Sequence, residues 1–410
     1  MNRIVLIGNG FDLAHGLPTR YEDFINWYWD QRVLGFRDTH SEISKDTLCT
    51  FKREKSFTWS SFYNQIFSPI QKLYGKDIID KIIHKEYGVW IGYSFSPFFG
   101  SIIKSIETKG WVDIENEYYN QLTKCTIQGS LNQKELEELN SQLSYITDLL
   151  VKYLNQISKK MPTTIEAISD IIYSPIKLED VSIEGRHFVD EYSKDCLSKS
   201  ESVLRAKIQQ YGLNQDICFD DIRQLQDIFE IKGVIIGYPQ LFMLPDDVLL
   251  LNFNYTDIAD SYKRATCGRT IHIHGELNKP DSIIFGYGDE LDEKYKQLKA
   301  LNENECLKNI KSIKYLESDN YRNVLRFMES APFQVVILGH SCGNSDRTLL
   351  NTIFEHKNCI SIKPYYYQKP NGTDNYLDIV QNISRNFTDM KLMRDRVVNK
   401  TFCEPLAQAK

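Results

Sequence analysis

The sequence lacks long apolar runs, paired cysteines and a strong net charge. No segment approaches the roughly 18 consecutive apolar residues that a membrane-spanning helix needs. The first apolar run ends at Gly8, short of the core of a signal peptide. The nine cysteines include no C-x-x-C pair, which argues against a zinc framework and favours reduced thiols. We therefore expect a cytoplasmic protein with no membrane segment and no metal.

The net charge and the length of the chain bear on its class of ligand and on its number of domains. A net charge of −6 argues against a dedicated nucleic-acid-binding protein, which usually carries a basic face. The 410 residues exceed one simple core, so two or three domain-sized units are expected.

Short β-rich runs occur at the start of the chain and again in its C-terminal part. Residues 3–7 indicate a buried strand, which a glycine turn and a helix follow. From about residue 233 come the runs VLLLNFNYT, TIHIHGEL, SIIFGYG, FQVVILGHS and CISIKPYYY. Helical stretches separate several of them, which is typical of parallel βαβ units. We predict an α/β protein with a Rossmann-like, doubly wound, mostly parallel sheet.

Between the N-terminal strand and the C-terminal β-rich runs, the sequence predicts a large, mostly helical insertion after the first βα unit. We therefore predict two domains. Residues 1–30 and 233–410 would form the nucleotide-binding domain, and residues 31–232 would form the inserted domain. Asn132 and Glu135 open the clearest helix with capping-box spacing. Its apolar seam is Leu136, Leu139, Leu143, Ile146, Leu150, Tyr153 and Ile157. This seam indicates a helix pair within the chain or, alternatively, a homo-oligomer contact.

Four loops follow strand-like runs: GNGFD, NFNYTD, HIHGE and GHSCGNSD. In an open parallel sheet, ligands bind beyond the carboxyl ends of the strands, so these loops could line one cleft. Gly8 and Gly10 match the first two glycines of a G-x-G-x-x-G turn, and Leu13 stands at the third. The turn either brings backbone close to a phosphate or is a plain tight turn. In the first case, a side chain at Gly10 would fill the space of the phosphate.

The acidic and amide residues of these loops allow more than one interpretation. Asp12 would repel a phosphate and better suits a ribose hydroxyl or a backbone cap. Asn252 and Asn254 lie on one face if the strand continues, or they form a turn in which Asp257 caps the next helix.

His272 and His274 form an H-x-H pair. Such a pair could bind a metal, but no second cluster of ligands is evident. His274 beside Gly275 could instead be a general base, or both rings could simply be packed. Asp346 is expected in the first turn of the helix that follows GHSCGNS.

Together these blocks resemble the AbiH family of bacteriophage abortive-infection proteins. IVLIGNGFDLAHGLPTRYEDF is specific to it, and LNFNYT, IHIHGEL, IIFGYG, ILGHSCGNSD and WVDIENEYY agree. The resemblance spans most of the chain and implies a role in antiphage defence. WVDIENEYY also contains Asp113, Glu115 and Glu117, a secondary candidate for reaching the cleft, although a solvated helix face is the simpler interpretation.

The order of the blocks is also similar to that of sirtuin-like NAD-hydrolysing domains. This similarity implies NAD as the substrate, and the absence of a zinc-binding cysteine quartet argues against a protein deacylase. Asn254 and His274 would be catalytic. Nucleotide-binding residues would be Gly8, Asn9, Gly10, Asp12, Gly339, Ser341 and Asp346. Departures from that pattern are Asp12, Asn252 and Thr256.

Two functional hypotheses follow from the resemblance. In the first, the protein binds and hydrolyses NAD or a related nucleotide, as an NAD glycohydrolase, and thereby arrests infected cells. In the second, it is a non-catalytic nucleotide-binding sensor or toxin scaffold that acts through the helical insertion. In both, its partners would be a nucleotide and a phage-derived trigger, not nucleic acid.

Overall fold

The computed structural model describes residues 1–38, 43–53, 91–109, 112–126, 131–159, 162–198, 200–211 and 243–409. Residues 54–90 and 212–232 of the expected insertion, residues 233–242 that follow it, and Trp111 of WVDIENEYY lie outside the described residues. The strands are β1 (Asn2–Ile7), β2 (Ile43–Lys45), β3 (Cys49–Arg53), β4 (Ile91–Phe95), β5 (Val248–Asn252), β6 (Gly268–His272), β7 (Phe333–Leu338) and β8 (Cys359–Tyr365).

The helices are spread over the whole described chain. They are α1 (Asn9–Ala14), α2 (Tyr21–Asp38), α3 (Pro97–Lys109), α4 (Ile114–Thr126), α5 (Gln133–Ile157), α6 (Glu166–Tyr173), α7 (Arg186–Ser198), α8 (Ser200–Tyr211), α9 (Glu293–Ala300), α10 (Lys311–Lys314), α11 (Asn320–Ser330), α12 (Arg347–Phe354), α13 (Tyr376–Arg385) and α14 (Met390–Arg396). Within the described residues, none is both long and apolar enough to span a bilayer.

A five-stranded sheet forms the core of the first of two compact units, which comprises residues 1–17, 161–283 and 314–410. Its order is β6-β5-β1-β7-β8, and all neighbouring strands are parallel. The central strands are buried along their whole length, as expected for a parallel sheet with both faces covered. The predicted mostly parallel sheet is confirmed, and the N-terminal strand pairs with C-terminal strands as expected.

One predicted strand, SIIFGYG, is wrong. Its residues make only a single bridge, in which Tyr287 N donates to the carbonyl of Asn309 over 3.1 Å. Ile284 and Phe285 are buried, so the apolar run that suggested a strand serves packing in the second unit instead.

The second unit comprises residues 18–160 and 284–313. It contains helices, but also an antiparallel sheet of order β2-β3-β4 that the sequence analysis did not predict. In β3, Cys49 and Phe51 are buried on one face while Lys52 is exposed, which is the alternation of a half-buried strand. The run is only five residues long and ends in two charged residues, so its apolar signal is weak.

The predicted apolar seam lies on α5. The side chain of Asn132 caps this helix by accepting from the backbone of Lys134 and Glu135. Six of the seven seam residues are buried and Ile157 is half-buried. Because α5 contacts α2 and α4, the seam packs helices within this unit. Self-association through it stays a prediction.

Candidate functional site

The turns after β1 and β7 meet at the carboxyl edge of the parallel sheet. From the central β1, strand order proceeds to β5 on one side and to β7 on the other, so this edge is the point where the order reverses. Gly8 N donates to the Leu338 carbonyl over 3.2 Å, and Gly10 N donates to the Gly339 carbonyl over 2.8 Å. The two turns therefore hold each other through backbone hydrogen bonds.

The glycines of the first turn allow this close approach of the two turns because they have no Cβ. A Cβ at Gly8 would lie 2.5 Å from His340 Cα, and one at Gly10 would lie 2.8 Å from Gly339 Cα. Gly10 is also part of α1, not of an open loop. A valine at Gly10 would thus disturb the packing of the turns, and not merely fill a ligand space as the sequence analysis expected.

The second turn has an unusual backbone. Gly339 has a φ of +70°, and a Cβ there would lie 2.1 Å from Phe11 N. Cys342, which is fully buried, has a φ of +54° although it is not a glycine. Left-handed conformations of this kind are strained for residues with a side chain and are enriched at functional sites.

A buried acid and two polar side chains form the first cluster. Asn254 Nδ2 donates to Asp12 Oδ1 over 2.7 Å and to the Gly8 carbonyl over 3.0 Å, while Thr256 Oγ1 donates to Asp12 Oδ2 over 2.7 Å. Asp12 is only 2 % exposed. Burial raises the pKa of Asp12 to about 7, against the opposing effect of the two hydrogen bonds, and the charge of Asp257 adds to the rise.

The raised pKa predicts how Asp12→Asn changes stability with pH. The carboxyl ionises near 3.8 in the unfolded chain and near 7 in the folded protein. Between these values the folded state binds more protons, so the wild-type free energy of unfolding falls as pH rises. Because asparagine cannot ionise, the free energy of unfolding of the variant does not fall in this way. We expect it to rise relative to that of the wild type by about 1–4 kcal/mol between pH 4 and pH 8.

Urea unfolding of both proteins across this pH range measures the difference, and effects of other groups cancel in it. A difference that stays constant with pH would show that Asp12 ionises normally when folded.

The second cluster joins two histidines to one carboxylate. His274 Nε2 lies 3.2 Å from Asp346 Oδ1, and His340 Nε2 lies 3.6 Å from Asp346 Oδ2. All three side chains are buried. The Phe253 ring lies against both imidazoles, with centroid distances of 5.3 Å to His274 and 4.2 Å to His340.

The neighbouring backbone fixes the tautomers. His274 Nδ1 lies 3.2 Å from the Phe253 carbonyl, which only accepts, so this nitrogen carries a proton. His340 Nδ1 accepts from Cys342 N over 3.0 Å, so its proton is on Nε2. His274 Nε2 lies 3.2 Å from two groups, Asp346 Oδ1 and the Tyr315 hydroxyl. Because a hydroxyl can donate to this nitrogen or accept from it, the surroundings of Nε2 suit a ring that gains or loses a proton there.

His272 and Asn252 support the loop between β5 and the following turn. Asn252 Oδ1 accepts from Asn254 N over 3.0 Å, and its Nδ2 donates to the Thr256 carbonyl over 2.8 Å and to His272 Nδ1 over 3.2 Å. His272 Nε2 in turn lies 2.9 Å from Asp260 Oδ2. His272 is thus a packed side chain with partners on both ring nitrogens, and a purely structural role for it stays a prediction. Asp257 precedes the next helical turn without a side-chain cap bond.

Other sequence-predicted residues lie outside the two clusters. The side chains of Asn9 and Ser341 are exposed, and the Ser341 carbonyl accepts from Asn382 over 2.8 Å.

The acidic residues of WVDIENEYY have separate partners in the second unit. Asp113 caps α4 through its side chain. Glu115 forms a buried ion pair with Lys311 at 2.9 Å, and Glu117 accepts from Ser105 Oγ over 2.5 Å.

Three residues of the two clusters had not been predicted as site residues: Thr256, His340 and Tyr315. Thr256 follows Asn254 by two residues and His340 directly follows Gly339. Their places inside the NFNYT and GHSCGNSD motifs could therefore have indicated that they belong to the site. Tyr315 follows His274 by 41 residues and falls in a stretch without a motif.

No arrangement suited to a metal is found in the described part of the chain, where no group of three or more His, Cys, Asp or Glu side chains is placed to hold one. A cavity of about 480 Å³ lies away from both clusters, near the start of β8, beside Phe188, Lys357 and Arg396.

The fold and the two clusters define an α/β protein with a buried polar centre at the switch point of a parallel sheet. Residues 4–367 match the family Bacteriophage abortive infection AbiH. The chain belongs to this family, as the sequence resemblance implied, and is a phage abortive-infection defence protein. No curated protein and no solved structure shows a significant match to it.

Proposed function

We propose that this AbiH protein binds NAD or a related nucleotide at the carboxyl edge of its parallel sheet and hydrolyses the nicotinamide glycosidic bond. Water would replace nicotinamide on the ribose, giving ADP-ribose, nicotinamide and a proton. Loss of NAD would arrest the infected cell.

The observation that carries this proposal is the position of the two clusters on either side of one loop. Asn254 reaches Asp12, while the adjacent Phe253 contacts His274 through its carbonyl. In chain order the five strands are arranged 3-2-1-4-5, the order of dinucleotide-binding sheets. The similarity to sirtuin-like domains in the sequence supports the same placement.

The side chains suit a reaction that needs positioning more than a strong nucleophile. Cleavage through an oxocarbenium-like state is accelerated mainly by orientation and by a fixed, dry electrostatic environment. Asn254 would hold a ribose hydroxyl or the attacking water. His274 Nε2 would exchange a proton with the reacting group once that group takes the place of the Tyr315 hydroxyl, and the nearby Asp346 carboxylate would stabilise a positive charge on the ring.

The test is incubation of the purified protein with NAD, NADP, ATP and nucleic acid, followed by chromatography of the products. We expect nicotinamide and ADP-ribose from NAD, and a fall of cellular NAD during phage challenge. If NAD is unchanged in vitro and in challenged cells, hydrolysis is refuted.

A non-catalytic nucleotide sensor is the second candidate, and a specific observation favours it. Both ring nitrogens of His274 already have partners within the protein, the Phe253 carbonyl and the Tyr315 hydroxyl, which suits a packed side chain better than a general base. A sensor should bind NAD without turnover and should keep its affinity in His274→Asn, which calorimetry would measure.

A further inference from the structure

The amide of Asn254 has a fixed orientation. Both hydrogens of its Nδ2 are used, one by the Gly8 carbonyl and one by Asp12 Oδ1. Because the Gly8 carbonyl only accepts, the nitrogen and oxygen of the amide cannot be exchanged. Asn254 is half-buried, and among the described residues no group donates to its Oδ1. The side chain therefore offers a single acceptor for a further hydrogen bond.

Asp12 can hold this orientation in either protonation state. When ionised, its two oxygens accept from Asn254 and Thr256. When protonated, the oxygen near Thr256 can donate to the hydroxyl, which is free to rotate, while the other still accepts from Asn254. No ion pair with Asp12 occurs in the described chain, so hydrogen bonding is its principal interaction.

The backbone that carries Asn254 is held from the other side. Asn252 bonds to the Asn254 amide and to the Thr256 carbonyl, and His272 with Asp260 supports Asn252. With the backbone fixed, the direction of the Asn254 carbonyl depends on what binds its Nδ2. A side chain placed in this way needs little reorganisation when a ligand arrives.

We propose that Asp12 is a positioning residue that turns the Asn254 carbonyl oxygen toward the ligand, so that the site selects ligands presenting a hydroxyl donor there. The inference rests on the proposed nucleotide site, in which this donor is a hydroxyl of the nicotinamide ribose. It gives Asp12 a role through Asn254 instead of direct contact with the ribose.

The first experiment needs no ligand. Protein labelled with ¹⁵N-asparagine shows the Asn254 side-chain NH₂ by NMR, and Asn254→Ser assigns it. We expect slow hydrogen exchange of this NH₂ in the wild type and in Asp12→Asn, whose side-chain oxygen can still accept. Asp12→Ala should exchange much faster. Fast exchange in the wild type would overturn the inference, and this measurement stands even if the alanine variant does not fold.

The second experiment measures selectivity by calorimetry. The probes are NAD and its analogues that lack the 2′- or the 3′-hydroxyl of the nicotinamide ribose. We expect one analogue to bind the wild type and Asp12→Asn at least about tenfold more weakly than NAD, the usual scale for an unpaired polar group. Asp12→Ala keeps only the Gly8 carbonyl as a partner of Nδ2, so its discrimination should fall well below that of the wild type.

Equal discrimination in Asp12→Ala, or none in the wild type, would refute the inference. If NAD does not bind at all, the proposed function fails, while the exchange of the Asn254 amide still decides whether Asp12 positions it.

Discussion

Gly339→Ala is expected to destabilise the protein by about 2–5 kcal/mol. The residue has a φ of +70°, which costs a residue with a side chain about 1–2 kcal/mol. In addition, the new methyl group would lie 2.1 Å from Phe11 N and would push the turns after β1 and β7 apart. Overpacking of this kind adds about 1–3 kcal/mol.

Gly16→Ala is the matched control. Gly16 has a φ of +80°, but no atom lies within 4 Å of the position of a Cβ. Gly16→Ala should therefore lose only the free energy that a left-handed backbone costs a residue with a side chain, about 1–2 kcal/mol. Urea unfolding of the two variants separates the terms, and equal losses would mean that the close approach of the two turns does not exist in solution.

His274→Ala should reduce NAD turnover about 100- to 10,000-fold in a folded protein, if turnover is found. Removing a group that transfers a proton in the transition state has effects of this size. Asp346 Oδ1 lies 3.2 Å from His274 Nε2 and would stabilise a positive charge on the ring, so Asp346→Asn should also reduce turnover.

His187→Ala is the control, since His187 is an exposed histidine in the same unit. Circular dichroism and thermal unfolding check that each variant is folded. Growth arrest and NAD loss in phage-challenged cells should follow the activity in vitro. A His274→Ala protein that hydrolyses NAD at the wild-type rate would exclude this residue from catalysis.

The apolar runs of the sequence predicted the parallel sheet well. The FQVVIL run is wholly buried in the structure. A short, mostly apolar run rich in β-branched residues is typical of a central parallel strand. The SIIF run shows the limit of this signal, because apolar side chains can also be buried by an irregular segment. The strands of the small antiparallel sheet were missed because they are short and partly exposed.

The site could be predicted only in part. Each motif indicated polar side chains at the end of a strand, but not which of them would touch. The pairing of Asp12 with Asn254 and Thr256 depends on β1 and β5 being neighbours, which is a property of the whole sheet. The role of the glycine turn was harder still, since close approach to a phosphate and close approach to another turn demand the same residue.

The raised pKa of Asp12 indicates a site that is not optimised for stability. A buried carboxyl lowers the stability of the folded state at neutral pH, whereas an asparagine would not. Residues of this kind are concentrated at functional sites, where stability and activity compete.

The central position of β1 also has a consequence for synthesis on the ribosome. Its neighbours β5 and β7 begin only at Val248 and Phe333, so β1 must wait for both before its edges are paired. At roughly 5–20 residues per second, that delay is on the order of half a minute. Because Asp12 and Asp346 come from opposite ends of the chain, we expect nascent chains and truncated products to be inactive. A cell that makes such a protein would thus be exposed to any activity of this site only after translation has passed Asp346.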